Sequence, residues 1–393
     1  MTQSKIAIAT GGTAGHVAPA LAVAGALQAD GAEVAFIGGA RAEAEMVPAA
    51  GYELRTIDVE GVSRTNPLRA ARALARAALA VPKARAILKD LAPDAVLGGG
   101  GYVAGPVGLA ALSLRIPLVL TEADSHLGLA NRLLAPGAKR VCLALPIPGR
   151  DASARYRVTG RPIPFPDADR ARARSHFGIG EEETCVLVFG GSLGAHSINL
   201  AAVQALADPD ARPAGSSGER GSAESRLAGR LREGALKVLH VSGRRDYKEL
   251  RARRPISDRL PAGYDLREYL DLEEFAMALA AADLVVARSG GSVFEIAAYG
   301  LPAILIPYPY ASADHQTTNA RWMAEAGAAI AIEDRDLTGP RLAGELAALL
   351  GDRPRLAAMA EASRGLARPR AAKEVAEELL AAAAAASRRE ARR

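Results

Sequence analysis

Apolar positions along the chain follow two alternating rhythms. The runs IAIAT (6–10), VAFIG (34–38), DAVLG (94–98), PLVLT (117–121) and RVCLAL (140–145) are short and nearly continuous. Such runs suit strands buried on both faces of a parallel sheet. Between them apolar residues recur at helical spacing, predicting a helix from Val17 and another near 104–114. The rhythm breaks after Asp151, where the prolines of VTGRPIPFPDADR disfavour a regular element and suit a linker. It then resumes with VLVFG, KVLHVSG, YDLREYL, ADLVVARSG, PAILIPY and AAIAIED, with helices over 292–299 and near 317–326. Residues 208–226, rich in small and charged side chains, read as a surface insertion.

This pattern predicts an α/β chain of two Rossmann-like, doubly wound domains. In such sheets a ligand sits at the carboxyl ends of the strands, which places the expected site in a cleft between the halves. The expected division is 1–160, 161–367, and a C-terminal helix with a basic tail over 368–393. A length of 393 residues fits two cores of ordinary size.

Composition narrows the classes. Apolar residues make up 49% and charged residues 24%, an ordinary globular balance. No apolar stretch reaches the roughly 18 residues of a spanning helix, and no secretory leader pattern opens the chain, so a cytoplasmic location is expected. Cys142 and Cys185 lie in strand-like runs and read as small core residues. The net charge of +5 suits an anionic substrate or an anionic membrane surface. Nucleic acid is not expected, because the 4% of aromatics are not interleaved with basic clusters.

The chemistry gathers at glycine-rich turns that follow predicted strands and open helices. They are Gly11-Gly12-Thr13-Ala14-Gly15-His16, Gly98-Gly99-Gly100-Gly101-Tyr102, Gly190-Gly191-Ser192-Leu193-Gly194 and Ser289-Gly290-Gly291-Ser292. Main-chain amides at a helix start approach phosphate oxygens closely where no Cβ intervenes, although glycines also serve simply to tighten a strand–helix turn. Four such turns in two similar halves favour a nucleotide diphosphate. Neither the P-loop pattern nor the dinucleotide G-x-G-x-x-G spacing is present. Glu295 is either a ribose-binding carboxylate or a dipole-favoured acid at a helix start. His16 is either a general base or a polar helix-start residue. No histidine cluster or carboxylate pair has metal-ligand spacing, so neither metal nor cofactor is expected.

These motifs together resemble the MurG family of glycosyltransferases. The resemblance rests on GGTAGHVAPALAVA, GGGGYVAGP, GLANRLLA, VTGRP, GGSLGAHSIN, the RSG turn with FEIAAYGLPAILIPYP, and DHQTTNARWMAEAGAA. It implies a GT-B fold and inverting transfer of N-acetylglucosamine from UDP-GlcNAc to the MurNAc 4-hydroxyl of lipid I, giving lipid II for peptidoglycan synthesis at the cytoplasmic face of the cell membrane. It further implies that Thr13, Ala14, Gly15, Ser192, Ser292, Glu295 and Gln316 meet the donor. By the same resemblance the backbone at Leu270 faces the uracil, and Gly100, Gly101 and Tyr102 receive the acceptor diphosphate. His16 is the candidate base and Asp124 the second candidate. The chain departs from the family at Thr121-Glu122-Ala123-Asp124, where His-Glu-Gln-Asn is usual, and at Pro164, which replaces an arginine for which Arg161 is a possible substitute. Rival readings are a related glycosyltransferase with another acceptor, a UDP-sugar epimerase, and a UDP-sugar-binding protein without catalysis. Residues 63–89 mix arginine with apolar side chains at helical spacing, as a membrane-surface helix or a helix packed on the sheet would.

Overall fold

A computed structural model describes residues 3–61, 66–150, 153–164, 169–191, 194–206, 223–252, 260–311 and 314–390. The chain forms two compact units, one from Met1–Phe165 with Arg368–Arg393 and the other from Pro166–Ala367.

The first unit is built on β1 (Lys5–Ala9), β2 (Glu33–Gly38), β3 (Glu53–Thr56), β4 (Ala95–Gly98), β5 (Leu118–Glu122), β6 (Arg140–Leu143) and β7 (Tyr156–Val158). All pair in parallel in the order β3-β2-β1-β4-β5-β6-β7. The order reverses at β1 and β4, and both strands end in a glycine turn. Side chains alternate across the sheet. Ile6 and Ile8 pack with Phe36, Leu97 and the helix Ala14–Ala29 on one face, where Val375 and Leu379 of the C-terminal helix Ala371–Glu390 join them. Ala7 and Ala9 pack with Ile37, Leu118 and the helices Pro67–Leu91 and Ala104–Ser113 on the other. Cys142 lies in the first of these cores, while Cys185 is buried in the second unit; burial pushes both thiols up to about 12.

The second unit contains β8 (Thr184–Phe189), β9 (Leu236–Val241), β10 (Tyr264–Arg267), β11 (Leu284–Ala287), β12 (Ala303–Leu305) and β13 (Ala329–Ala331). They are parallel in the order β10-β9-β8-β11-β12-β13. Val186, Val188, Val238, Val286 and Ile304 form its core with the helices His196–Leu206, Ala223–Arg232 and Gly339–Gly351.

The doubly wound reading is therefore borne out in both units. Three details differ from it. β3 and β7 are edge strands of four and three residues, too short and too polar to show a period. The first helix begins at Ala14 rather than Val17, drawing the glycine turn's Gly15 and His16 into its first turn. Residues 208–222 of the expected insertion lie outside the described residues, and its last four residues open the helix Ala223–Arg232.

Candidate active site

In the first unit three strand ends meet around a residue the sequence did not single out. Glu43 lies in the first turn of the helix Ala42–Ala49 and is fully buried. Its carboxylate accepts hydrogen bonds from the Gly12 amide, the Gly39 amide and the Tyr102 hydroxyl, each at 2.9 Å. Burial pushes its pKa up, but the Gly12 amide, with Tyr102 and Gly39, outweighs burial and holds the carboxyl below its usual range. Burial and the Glu43 charge push the Tyr102 phenol up to about 12. The Arg41 guanidinium lies 5.2 Å from the centre of the Tyr102 ring.

The two glycine turns lock together through their backbones. Gly101 has φ +74°, and a Cβ there would sit 1.8 Å from the Gly11 carbonyl oxygen, so only glycine fits. His16 packs on Gly100, whose Cβ, if present, would lie 3.1 Å from the imidazole Cδ2. Thr13 brings its Oγ1 to 3.5 Å from His16 Nδ1, and Thr10 donates to the His16 carbonyl at 3.1 Å. Burial, then the positive charge of Arg161, lowers the His16 pKa, while Asp124 and Glu43 oppose that change. The neutral imidazole is thus the form present near pH 7, and it can accept a proton.

Thr13 caps the helix Ala14–Ala29 without a side-chain hydrogen bond, unlike Asn66, Asp169, Asp271, Thr338 and Asp352, which cap their helices through side chains. First-turn amides left uncapped in this way favour an anion. The turn is not wholly open, however, because the Gly12 amide is taken by Glu43. Arg161 donates to the Gly15 carbonyl.

Asp124 is half-buried and sits on a loop organised by Glu122. Glu122 accepts from the amides of Asp124 at 3.1 Å and Gly128 at 2.8 Å, and from Asn131 Nδ2 at 2.9 Å. Burial nevertheless leaves its pKa above the usual value.

The second unit holds its glycine turn differently. Gly194 has φ +83°, and a Cβ would meet the Ser242 carbonyl oxygen at 2.1 Å. That carbonyl accepts from Asn199 Nδ2 at 2.9 Å, as does Asp246. With its amide hydrogens so used, Asn199 presents Oδ1 to His240 Nε2 at 2.9 Å, which must donate. His240 Nδ1 then accepts from the Tyr264 hydroxyl at 2.7 Å. Burial lowers the His240 pKa to about 3. Arg245 pairs with Asp246 at 2.9 Å, and His196 Nδ1 lies 3.5 Å from the same carboxylate. Ser192 lies outside the described residues.

At the fourth turn Arg288 bonds the carbonyls of Ile306 and Pro307 at 3.2 Å, Asp334 at 2.5 Å and Ser197 at 3.0 Å. Ser289 donates to the Gln316 carbonyl at 2.7 Å. Gln316 Oε1 accepts from the Tyr308 amide at 3.0 Å, and its Nε2 faces Gly290. The helix Ser292–Ala298 starts without a side-chain cap and carries half-buried Glu295 in its first turn. Leu270 is buried at the end of the segment leaving β10. Thr13, Ala14, Gly15, His16, Gly100, Gly101 and Tyr102 are thus gathered in the first unit, with Asp124 in electrostatic reach of His16. Ser292, Glu295 and Gln316 gather at the fourth turn of the second. Among the described residues no group of three or more His, Cys, Asp or Glu could hold a metal ion.

Glu43 had one sequence signal, since it shares the buried stripe of its helix with Val47, four residues on. Asn199, His240 and Arg288 gain their roles from contacts between distant elements, whereas Glu122 acts on the loop that directly follows it.

Comparison with known proteins agrees with this fold. Residues 6–143 match the glycosyltransferase family 28 N-terminal domain and residues 185–375 its C-terminal domain. The chain is 41% identical over 380 residues to the Halorhodospira halophila protein named UDP-N-acetylglucosamine–N-acetylmuramyl-(pentapeptide) pyrophosphoryl-undecaprenol N-acetylglucosamine transferase, covering 96% of this chain and 98% of that one. It is 38% identical over 394 residues to the protein of the same name from Moorella thermoacetica, with coverage of 96% and 98%. Among solved structures, MurG of Acinetobacter baumannii superposes with a TM-score of 0.68 at 29% identity, covering 96% and 99%. A calicheamicin glycosyltransferase shares the fold at a TM-score of 0.64 and 18% identity over 96% and 99% of the two chains. The two parallel sheets, the matched domains and the full-length relatives place the chain in the MurG family of GT-B glycosyltransferases.

Proposed function

We propose that the chain transfers N-acetylglucosamine from UDP-GlcNAc to the MurNAc 4-hydroxyl of lipid I, giving lipid II. The observation that carries this reading is His16, held neutral beside the uncapped start of the helix Ala14–Ala29. The acceptor hydroxyl attacks the anomeric carbon as its proton passes to His16, the bond from that carbon to UDP breaks, and configuration inverts. Thr13 beside Nδ1 and Asp124 in electrostatic reach steady the imidazolium that forms. Gly100 and Gly101 meet the acceptor diphosphate. In the second unit the amides of the Gly190–Gly194 and Ser289–Ser292 turns stabilise the departing UDP, Glu295 holds the ribose, Gln316 the sugar, and the backbone at Leu270 the uracil. Radiolabelled transfer to a lipid I analogue tests the reading; no transfer above a donor-free control rejects it. Incubation with donor alone detects an epimerase.

A different acceptor is the second reading, favoured by the segment Thr121–Asp124. Its carboxylate at Asp124 sits where the family has an amide, and turnover with other glycolipids but not lipid I supports it.

Attachment to an anionic inner-membrane surface at its cytoplasmic face is part of the proposal. The helices Pro67–Leu91, Ala104–Ser113 and Leu129–Leu134 expose Leu68, Leu79, Leu109, Leu129 and Leu133, with Arg69 and Arg132 exposed among them. Apolar side chains rimmed by cations suit a headgroup boundary. No helix among the described residues is long and apolar enough to cross a membrane. Flotation on vesicles with and without anionic lipid checks it, and equal recovery in both removes the electrostatic part.

A further inference from the structure

We infer that Glu43 is a positioning residue for transfer, fixing the Gly12 peptide and Tyr102 so that His16 and the first turn of its helix are held in working geometry. The inference rests in part on the function proposed above.

The Gly12 peptide is held from both sides by the start of one helix. Its amide donates to Glu43, and its carbonyl accepts from the Ala42 amide at 3.4 Å. Gly12 lies against both His16 and Tyr102, since a Cβ on it would come within 3.6 Å of Nδ1 and 3.7 Å of the phenol ring. The Glu43 carboxylate also joins the end of β2, through Gly39, to the turn after β4, through Tyr102. One side chain therefore sets the mutual placement of three strand ends.

Tightening turns alone does not require a charge. A fully buried carboxylate is costly unless its oxygens are satisfied, and here two amides and a phenol satisfy them. The charge has two consequences for the site. It keeps a phosphate oxygen off the Gly12 and Gly39 amides, leaving the helix start for the donor and the Gly100 turn for the acceptor diphosphate. It also supports the proton affinity of His16 against burial and Arg161. A neutral amide at position 43 would preserve shape and remove both.

The test compares wild type with Glu43→Gln, Glu43→Asp, Tyr102→Phe and the Glu43→Gln/Tyr102→Phe pair in the full chain. The readouts are kcat, both KM values, UDP binding by calorimetry, and the His16 titration by NMR with His16→Asn as the assignment control. Glu43→Gln is expected to lower kcat about tenfold or more, with UDP affinity unchanged within about twofold. It should also move the His16 titration, and the acid limb of the rate profile, to lower pH. Glu43→Asp restores the charge and should recover part of both changes. Tyr102→Phe should lower kcat severalfold alone and add little in the Glu43→Gln background, because both act through one contact. Unchanged kcat with an unmoved His16 titration in folded Glu43→Gln overturns the inference. If wild type fails to transfer to lipid I, the functional reading fails while the His16 titration still decides the role of Glu43. If Glu43→Gln does not fold, Tyr102→Phe decides, and full activity there overturns the inference.

Discussion

The first glycine turn of each unit meets the same demand by different means. In the first unit the turn after β1 is clasped by Glu43, a buried carboxylate kept ionised by amides and a phenol. In the second the turn after β8 rests on Ser242, which is fixed by the Tyr264–His240–Asn199 chain, and burial keeps His240 neutral. Under the proposed function the difference follows the charge each turn must face. A turn beside a base that gains a proton tolerates a negative neighbour, and profits from it. Under the same proposal the second turn faces a departing diphosphate, and there the buried Asp246 carboxylate that holds Asn199 is balanced by Arg245.

The comparison is broken most severely at the backbone. Gly101→Ala and Gly194→Ala each force a Cβ onto a carbonyl oxygen, and each is expected to cost about 3 kcal/mol or more of stability in urea unfolding. Tolerance of either alanine would show that its turn is not locked by the neighbouring backbone. Chemistry comes next: His16→Ala should lower turnover about a hundredfold while calorimetry finds UDP binding intact. The proposed division of labour fails if donor binding falls in parallel.

Acid separates the two supports. His240 has a folded pKa of about 3 against an ordinary 6.5, so the unfolded chain takes the proton first. Its effect is absent above pH 6.5, and each unit of acidification below that costs about 1.4 kcal/mol until pH approaches 3. Glu43 is depressed, so its contribution is complete above the ordinary carboxylate range and is lost only as pH falls through its lower folded value. Unfolding measured from pH 7 to 5 should therefore soften in wild type and flatten in His240→Gln, while Glu43→Gln leaves that slope unchanged. The smallest effect is expected at Arg157, whose exposed bonds to Glu374 and Glu378 should be worth under about 1 kcal/mol when Arg157→Ala is compared by thermal unfolding.

The alternation of strand and helix was legible because most strands are buried on both faces and therefore apolar throughout. β3 and β7 were not, since an edge strand of Glu53–Thr56 or Tyr156–Val158 leaves most of its side chains partly or fully exposed. The site was half legible. Glycines at strand ends and His16 at a helix start announce themselves locally. Glu43 does so only faintly, because Gly12 and Tyr102 lie 31 and 59 residues away. His240 reads as one polar residue inside an apolar strand until Asn199 and Tyr264 are seen on either side of it.

The C-terminal helix Ala371–Glu390 supplies Val375, Ala376, Leu379 and Ala383 to the core built on Ile6, Ile8 and Phe36. During synthesis, then, the face of the first sheet that the helix Ala14–Ala29 covers in part stays incompletely covered until the twenty-residue helix Ala371–Glu390 leaves the ribosome. Pro166–Ala367, contiguous in the chain, has all its own residues well before that. The half that emerges first is the half completed last.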